Sequence, residues 1–358
     1  MRMIIGVGAG ILVLAGVFGG LVLNAQRLGR AAEADSPPVG SFREVDGQRV
    51  HFVDLTPDGW RAGDPVVIFV HGASGNLRDP RLALEDSLAD GGWRRIYVDR
   101  PGHGYSERGG DDMYRPKRQA EVIAGLLEQL GIERAVAVGH SWGGAVVAQM
   151  ALVAPERVGG LVFLAPATHP WPGGVNWYYD ATAAPVAGQV FAQAIAPTFA
   201  SLVAPQAVKG VFEPEAAPRG YGEKIGLPLL FRPDTFRANA MDVAMLKEEV
   251  RAARPSYGRI LQPAAIVTGD ADTVVLPEIH SAGLARDLPN AWRVDLAGAG
   301  HMPHHTRPDE VLAEIGKVVD LVFPSAGRAV SEARADMKKA AGDPAAVSGL
   351  KDRVGPGE

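Results

Sequence analysis

The sequence predicts an α/β fold with a mostly parallel, eight-stranded sheet flanked by helices. Continuous apolar runs at 65–70, 135–138, 158–164 and 264–268 read as strands buried on both faces. Helical patterns alternate with the strands, as a parallel sheet requires. One run, Val136-Ala137-Val138, passes through Gly139-His140-Ser141-Trp142-Gly143 directly into an apolar helix. Glycines at 139 and 143 lack Cβ atoms, so the backbone can turn sharply and strand and helix can approach closely. Ser141 then sits at the apex of a strained strand-to-helix turn, a nucleophile elbow of the form G-x-S-x-G. The start of that helix offers free N–H groups and positive charge beside the hydroxyl.

Composition bounds the rest. The chain has 358 residues, 47% of them hydrophobic, which suits one large α/β domain with appendages or two small ones. Its net charge of −5, without a long basic run, gives no sign of a nucleic-acid partner. With no cysteine, thiol nucleophiles, disulfides and thiolate metal sites are excluded.

Ile4–Leu23 carries no charge and is long enough for a helix of ~20 residues to span a bilayer. It is therefore expected to be a retained single-pass anchor, with membrane localisation and a linker completing residues 1–40. A cleaved signal, leaving a secreted or periplasmic protein, is the alternative. The nearest small-x-small site, Ala32-Glu33-Ala34, lies well beyond the apolar run.

Next in order, Ser41–Val45 and Arg49–Leu55 flank Asp46-Gly47, a hairpin signal. The strand 65–70 ends in His71-Gly72-Ala73-Ser74-Gly75, a loop able to present backbone N–H groups. A strand at 95–98 leads into the turn-rich loop Asp99–Ser106, and 115–130 reads as an amphipathic helix stopped by Gly131. Between the strands 158–164 and 264–268 the strand–helix rhythm stops. Prolines and ten aromatic residues from Trp171 to Phe236 are scattered there. They suit an aromatic-lined lid, most of them forming its own core. A strand at 293–296 enters the loop Ala297–Pro303, and 306–323 reads as a closing helix. Residues 325–358 read as a polar, flexible tail with one helix near 327–341.

His71-Gly72, Asp99-x-Pro101-Gly102-x-Gly104-x-Ser106 and Gly139-x-Ser141-x-Gly143-Gly144, in that order, resemble the α/β-hydrolase superfamily. The resemblance spans about residues 41–323 and implies an α/β-hydrolase fold with an inserted helical cap. Its expected parts are 41–166 and 258–324 for the core and 167–257 for the cap.

The resemblance also implies a catalytic triad. Asp272 matches a Gly-x-x-Asp-x-x-Val pattern, with Asp270 as runner-up or as a turn residue. His301 matches a Gly-His-x-Pro pattern, with His304 and His305 near enough to compete. The chain order Ser141, Asp272, His301 is that of this fold. The same rule gives an oxyanion hole from the Trp142 and Ala73 N–H groups, with Ser74 next in line for the second. Neither metal nor organic cofactor is expected, because no His-Glu-x-x-His or similar ligand spacing occurs. Haloalkane dehalogenases and epoxide hydrolases are similar but carry aspartate at the nucleophile. A serine at 141 implies an acyl-enzyme. The expectation is therefore a membrane-anchored esterase or lipase acting on an apolar small-molecule acyl substrate. A C–C bond (diketone) hydrolase, an aminopeptidase-like acyl hydrolase and a cofactor-free haloperoxidase use the same triad. A catalytically silent binding protein and a membrane tether are the non-enzyme alternatives. The sequence does not define an oligomeric state.

Overall fold

The computed structural model describes residues 2–89, 91–194 and 196–324, so the expected C-terminal tail lies outside the described residues. The eight strands are β1 (Ser41–Val45), β2 (Gln48–Leu55), β3 (Val66–Val70), β4 (Arg94–Val98), β5 (Ala135–His140), β6 (Val158–Leu164), β7 (Ala264–Gly269) and β8 (Ala291–Leu296). They form one sheet in the order β1-β2-β4-β3-β5-β6-β7-β8. The first two ladders are antiparallel and the others parallel. The Asp46-Gly47 turn has positive φ at both residues, the backbone of a tight hairpin.

Alternation along each buried strand splits the core in two. Val66, Ile68 and Val70 of β3 join the cluster that holds Val122, Ile123 and Leu126. Val67 and Phe69 join the opposite cluster, with Leu84, Val311 and Ile315. Helices α3 (Pro116–Gln129), α4 (Trp142–Val153) and α10 (His280–Asp287) therefore cover one face. Helices α2 (Arg78–Leu88) and α12 (Pro308–Val322) cover the other. A short helix, α11 (Pro303–Thr306), leads into α12.

Between β6 and β7 the chain forms α5 (Trp177–Ala183), α6 (Ala187–Ala194), α7 (Ala196–Phe212), α8 (Tyr221–Lys224) and α9 (Pro233–Ala253). This insertion lies over the carboxyl ends of the central strands, where β3, β5 and β7 deliver their loops.

The N-terminus differs from expectation. Residues Arg2–Asp35 form one helix, α1, so the supposed linker at 24–35 is helical. Among the described residues no helix is long and apolar enough to cross a membrane, and the anchor reading, with the membrane localisation built on it, does not stand. Helix α1 instead packs against α6, α7 and the turn Leu227–Phe231. Ala25 and Ala32 are buried in that contact, and Glu33 pairs with Arg232 at 3.0 Å. That contact uses the second half of α1, whereas Leu12, Val13, Val17, Phe18 and Leu23 of the apolar run are exposed.

The approach of α4 to β3 sets how tightly the sheet and the elbow fit. A Cβ on Gly143 would lie 2.3 Å from the Val70 carbonyl oxygen. Backbone cannot yield cheaply there, so Gly143→Ala is expected to cost ~1–3 kcal/mol or more in urea unfolding. Gly210, on α7 with nothing within 4 Å of its missing Cβ, is the control. Gly210→Ala should leave stability unchanged or raise it by ~0.5–1 kcal/mol. Equal midpoints for the two variants would contradict this packing account.

Candidate active site

Ser141 stands between β5 and α4 with φ 50° and ψ −116°. Few non-glycine residues hold such a backbone, and it persists only where its surroundings enforce it. The enforcing contacts come from both sides. The Ser141 N–H donates to Leu164 at 2.9 Å and its carbonyl accepts the Ala167 N–H at 3.0 Å. On the other side, a Cβ on Gly72 would fall 3.1 Å from the Ser141 Cβ and 2.8 Å from His140 Nδ1. The His71–Gly75 loop therefore lies against the elbow.

His301 and Asp272 meet beside it. His301 Nδ1 lies 2.7 Å from Asp272 Oδ2, and both side chains are buried. The second oxygen of Asp272 accepts the N–H groups of Val274 at 2.8 Å and Val275 at 2.9 Å. Three groups thus share one carboxylate's lone pairs and hold its plane. Asp270 goes elsewhere: its Oδ1 accepts the Gly298 N–H at 2.7 Å and staples the loop after β8. His304 and His305 turn away to Asp79, at 3.2 and 2.9 Å, where the Tyr221 hydroxyl also donates at 2.7 Å. Those three side chains bring possible ligand atoms within 4.8 Å of one another, but both Asp79 oxygens already accept histidine N–H groups.

Ser141, Trp142, His301, Gly72 and Ala73 line a cavity of about 780 Å³ whose other walls come from the inserted segment and from the Thr273–Leu276 turn after β7. Seven of the ten aromatics in the insertion border it, among them Trp171, Tyr178 and Phe236. Tyr178, Phe191, Phe231 and Phe236 also pack on one another in a cluster of the insertion's own, as the lid expectation has it. Phe212 belongs to a second cluster, with Ile225 and Met302.

The Ser74 N–H, the alternative to that of Ala73, donates to Asn239 Oδ1 at 2.7 Å. Asn239 returns a bond to Ser74 Oγ at 3.1 Å. Sequence reasoning missed this helix α9 residue, as it missed Asp242 one turn on. Asp99, by contrast, stood in a quoted motif, and its role is bracing. It accepts from Leu77 N–H at 2.7 Å, Tyr105 N–H at 2.9 Å and the ring of His51 at 2.6 Å.

A family model described as the alpha/beta hydrolase fold matches residues 65–308, more than half of the chain. The chain belongs to the α/β-hydrolase fold family. The family match and the hydrolases among its relatives support a hydrolase activity. Among curated relatives, the chain is 36% identical over 138 residues to a dihydrolipoyllysine-residue acetyltransferase component of an acetoin cleaving system from Cupriavidus necator. That match covers 38% of this chain and only 34% of the relative. It is 24% identical over 284 residues to haloalkane dehalogenase 2 of Mycobacterium tuberculosis, covering 75% of this chain and 90% of that protein. Among solved structures, a thermophilic esterase from Thermogutta terrifontis superposes with a TM-score of 0.62 at 21% identity. That superposition covers 79% of this chain and all of the esterase, and it speaks for the shared fold.

Around this hydrolase site several histidines are held neutral. Burial pushes His71, His103 and His140 well below the usual imidazole value, with neighbouring positive or imidazole groups adding to the effect. His280 is pushed down to about 4, again chiefly by burial. In the unfolded chain each would titrate near ~6.5. Below that pH the unfolded state takes up protons that the folded state refuses, so stability falls as pH falls. Asp79 is shifted downward, so its contribution is lost only at still lower pH. Urea midpoints measured from pH 7 to pH 5 should fall steadily, by up to ~1.4 kcal/mol per pH unit for each such histidine. A flat profile across that window would contradict the neutral assignments.

Proposed function

We propose that the chain is a serine hydrolase that cleaves carboxylic esters of small to medium apolar acyl groups through an acyl-enzyme on Ser141. The observation that carries this reading is the buried His301–Asp272 pair bordering the cavity that the strained Ser141 also lines. A serine hydroxyl needs an adjacent base to become a nucleophile. With Nδ1 turned to Asp272, His301 has Nε2 left for the Ser141 proton.

In this mechanism Ser141 Oγ attacks the ester carbonyl and His301 Nε2 takes the hydroxyl proton. Asp272 keeps the imidazole in the right tautomer and stabilises its cation. The Trp142 and Ala73 N–H groups receive the developing oxyanion. Engagement of the Ser74 N–H by Asn239 favours Ala73 for that role. The tetrahedral intermediate collapses, the alcohol leaves with the proton from His301, and water repeats the sequence on the acyl-enzyme. The mostly apolar cavity, at about 780 Å³, has the size of pockets that enclose a drug-sized molecule. The aromatic walls favour apolar acyl groups and exclude water from the reacting carbonyl.

Steady-state kinetics on p-nitrophenyl esters of increasing chain length, set against diketone and amide substrates, test the reading. Esters should be turned over fastest, with an optimum in chain length set by the cavity. Ser141→Ala should lower kcat by ~10⁴-fold or more, and Asp272→Asn by a comparable factor, with KM little changed. Retention of wild-type ester turnover in Ser141→Ala would overturn the mechanism. A preference for diketone over every ester would overturn the substrate class alone.

A further inference from the structure

We infer that Arg100 is a positioning residue that aims the oxyanion donors, because its one guanidinium grips the Gly72–Ala73 peptide and lies on the ring of Trp142. The inference rests on the serine-hydrolase reading above. It adds to that reading a residue remote from the substrate.

Arg100 is fully buried at the end of β4. Its Nε donates to the His71 carbonyl at 3.0 Å and its Nη2 to the Gly72 carbonyl at 3.1 Å. Its own backbone N–H donates to His71 Nε2 at 3.0 Å. That acceptor role leaves the proton of His71 on Nδ1, which donates to the same Gly72 carbonyl at 2.8 Å. Two donors, both set by Arg100, therefore hold the oxygen of one peptide unit.

A trans peptide is planar, and its N–H points opposite to its carbonyl. Pinning Gly72 O thus fixes the direction of the Ala73 N–H. The guanidinium's positive charge at the oxygen also polarises the peptide and strengthens that N–H as a donor. The carbon of the same guanidinium sits 4.2 Å from the centre of the Trp142 ring. Trp142 supplies the other donor N–H, and its indole N–H donates to the Asp242 carbonyl at 3.0 Å.

A charge buried this deeply needs partners. Asp242, on the inserted helix α9, accepts Arg100 Nη1 at 2.7 Å, and Gln119 accepts it at 3.0 Å. Arg108 also pairs with Asp242 at 2.7 Å, so that carboxylate keeps one cation if Arg100 is removed. Burial lowers Arg100 to about 10, which leaves it charged at neutral pH. A hydrogen bond weakens steeply as its angle closes, so a loosely held Ala73 peptide would serve the transition state poorly.

The test compares an oxygen ester with the matching thionoester, whose C=S sulfur accepts hydrogen bonds weakly and so draws little on the donors. Rates are taken per active site, counted by end-point fluorophosphonate labelling, for wild type, Arg100→Met, Arg100→Lys and Asp242→Asn. Arg100→Met should lower kcat on the ester ~10- to 100-fold with KM little changed, and lower the ester-to-thionoester rate ratio ~10-fold. Arg100→Lys should recover part of the ratio, since an ammonium reaches one of the two carbonyls. Asp242→Asn, which removes the carboxylate that holds Arg100 Nη1, should lower the ratio in the same direction by a smaller factor. An Arg100→Met enzyme that loses both substrates equally would overturn the inference. A wild type inactive on every ester overturns the serine-hydrolase reading itself, and that result is distinguishable from an active wild type whose ratio ignores Arg100.

Discussion

The site depends on how closely helix α4 approaches the end of strand β3. Only a residue without a side chain fits at 143, because a Cβ there would press on the Val70 carbonyl. That approach brings the loop after β3 against the elbow and bends Ser141 into positive φ. The strain at Ser141 is offset by bonds to Leu164 and Ala167, one strand and one turn further on. A parallel sheet then gathers the loops of β3, β5, β7 and β8 at one edge. The hydroxyl, imidazole and carboxylate come from three of those loops, far apart in the chain.

Around that edge lies an unusual amount of buried polarity. Asp272, Asp99, Asp79 and Asp242 are all buried, and each is met by several donors. Such networks cost desolvation and repay it only when nearly every lone pair is used. Here they tie loops that would otherwise be mobile to rigid strands. Asp99 joins three segments, and the Arg100–Asp242 pair ties the inserted helices to the His71–Gly75 loop. The insertion is thus fastened to the catalytic edge through charge as well as through apolar packing. Its aromatic walls keep that edge dry, which raises the worth of every hydrogen bond inside it.

Local chemistry was readable from the sequence and remote pairing was not. The strand at 158–164 and the hairpin at Asp46-Gly47 follow from composition and turn type, and their observed bounds agree. Gly139-x-Ser141-x-Gly143 announced the elbow because glycine and serine at that spacing answer a steric demand. The choice between Asp270 and Asp272 turned on which carboxylate faces the histidine, and two residues' difference in a turn does not reveal that. That Asn239, on a helix 165 residues away in the chain, engages the Ser74 N–H is visible only in the fold. Arg100 stood inside a quoted motif, yet its need for Asp242 is invisible without the fold. The N-terminal run failed for a related reason: composition does not show where a helix ends, and here one helix runs on to Asp35 and docks on α6 and α7 through residues beyond the run, such as Ala25 and Ala32.

The account reduces to one activated hydroxyl. Incubating the folded protein with a fluorophosphonate and mapping the adduct by peptide mass spectrometry addresses it most directly. A single adduct on Ser141, formed fast at neutral pH and slowly when His301 is replaced, is the predicted result. An adduct confined to another residue, or none on folded protein, would contradict it.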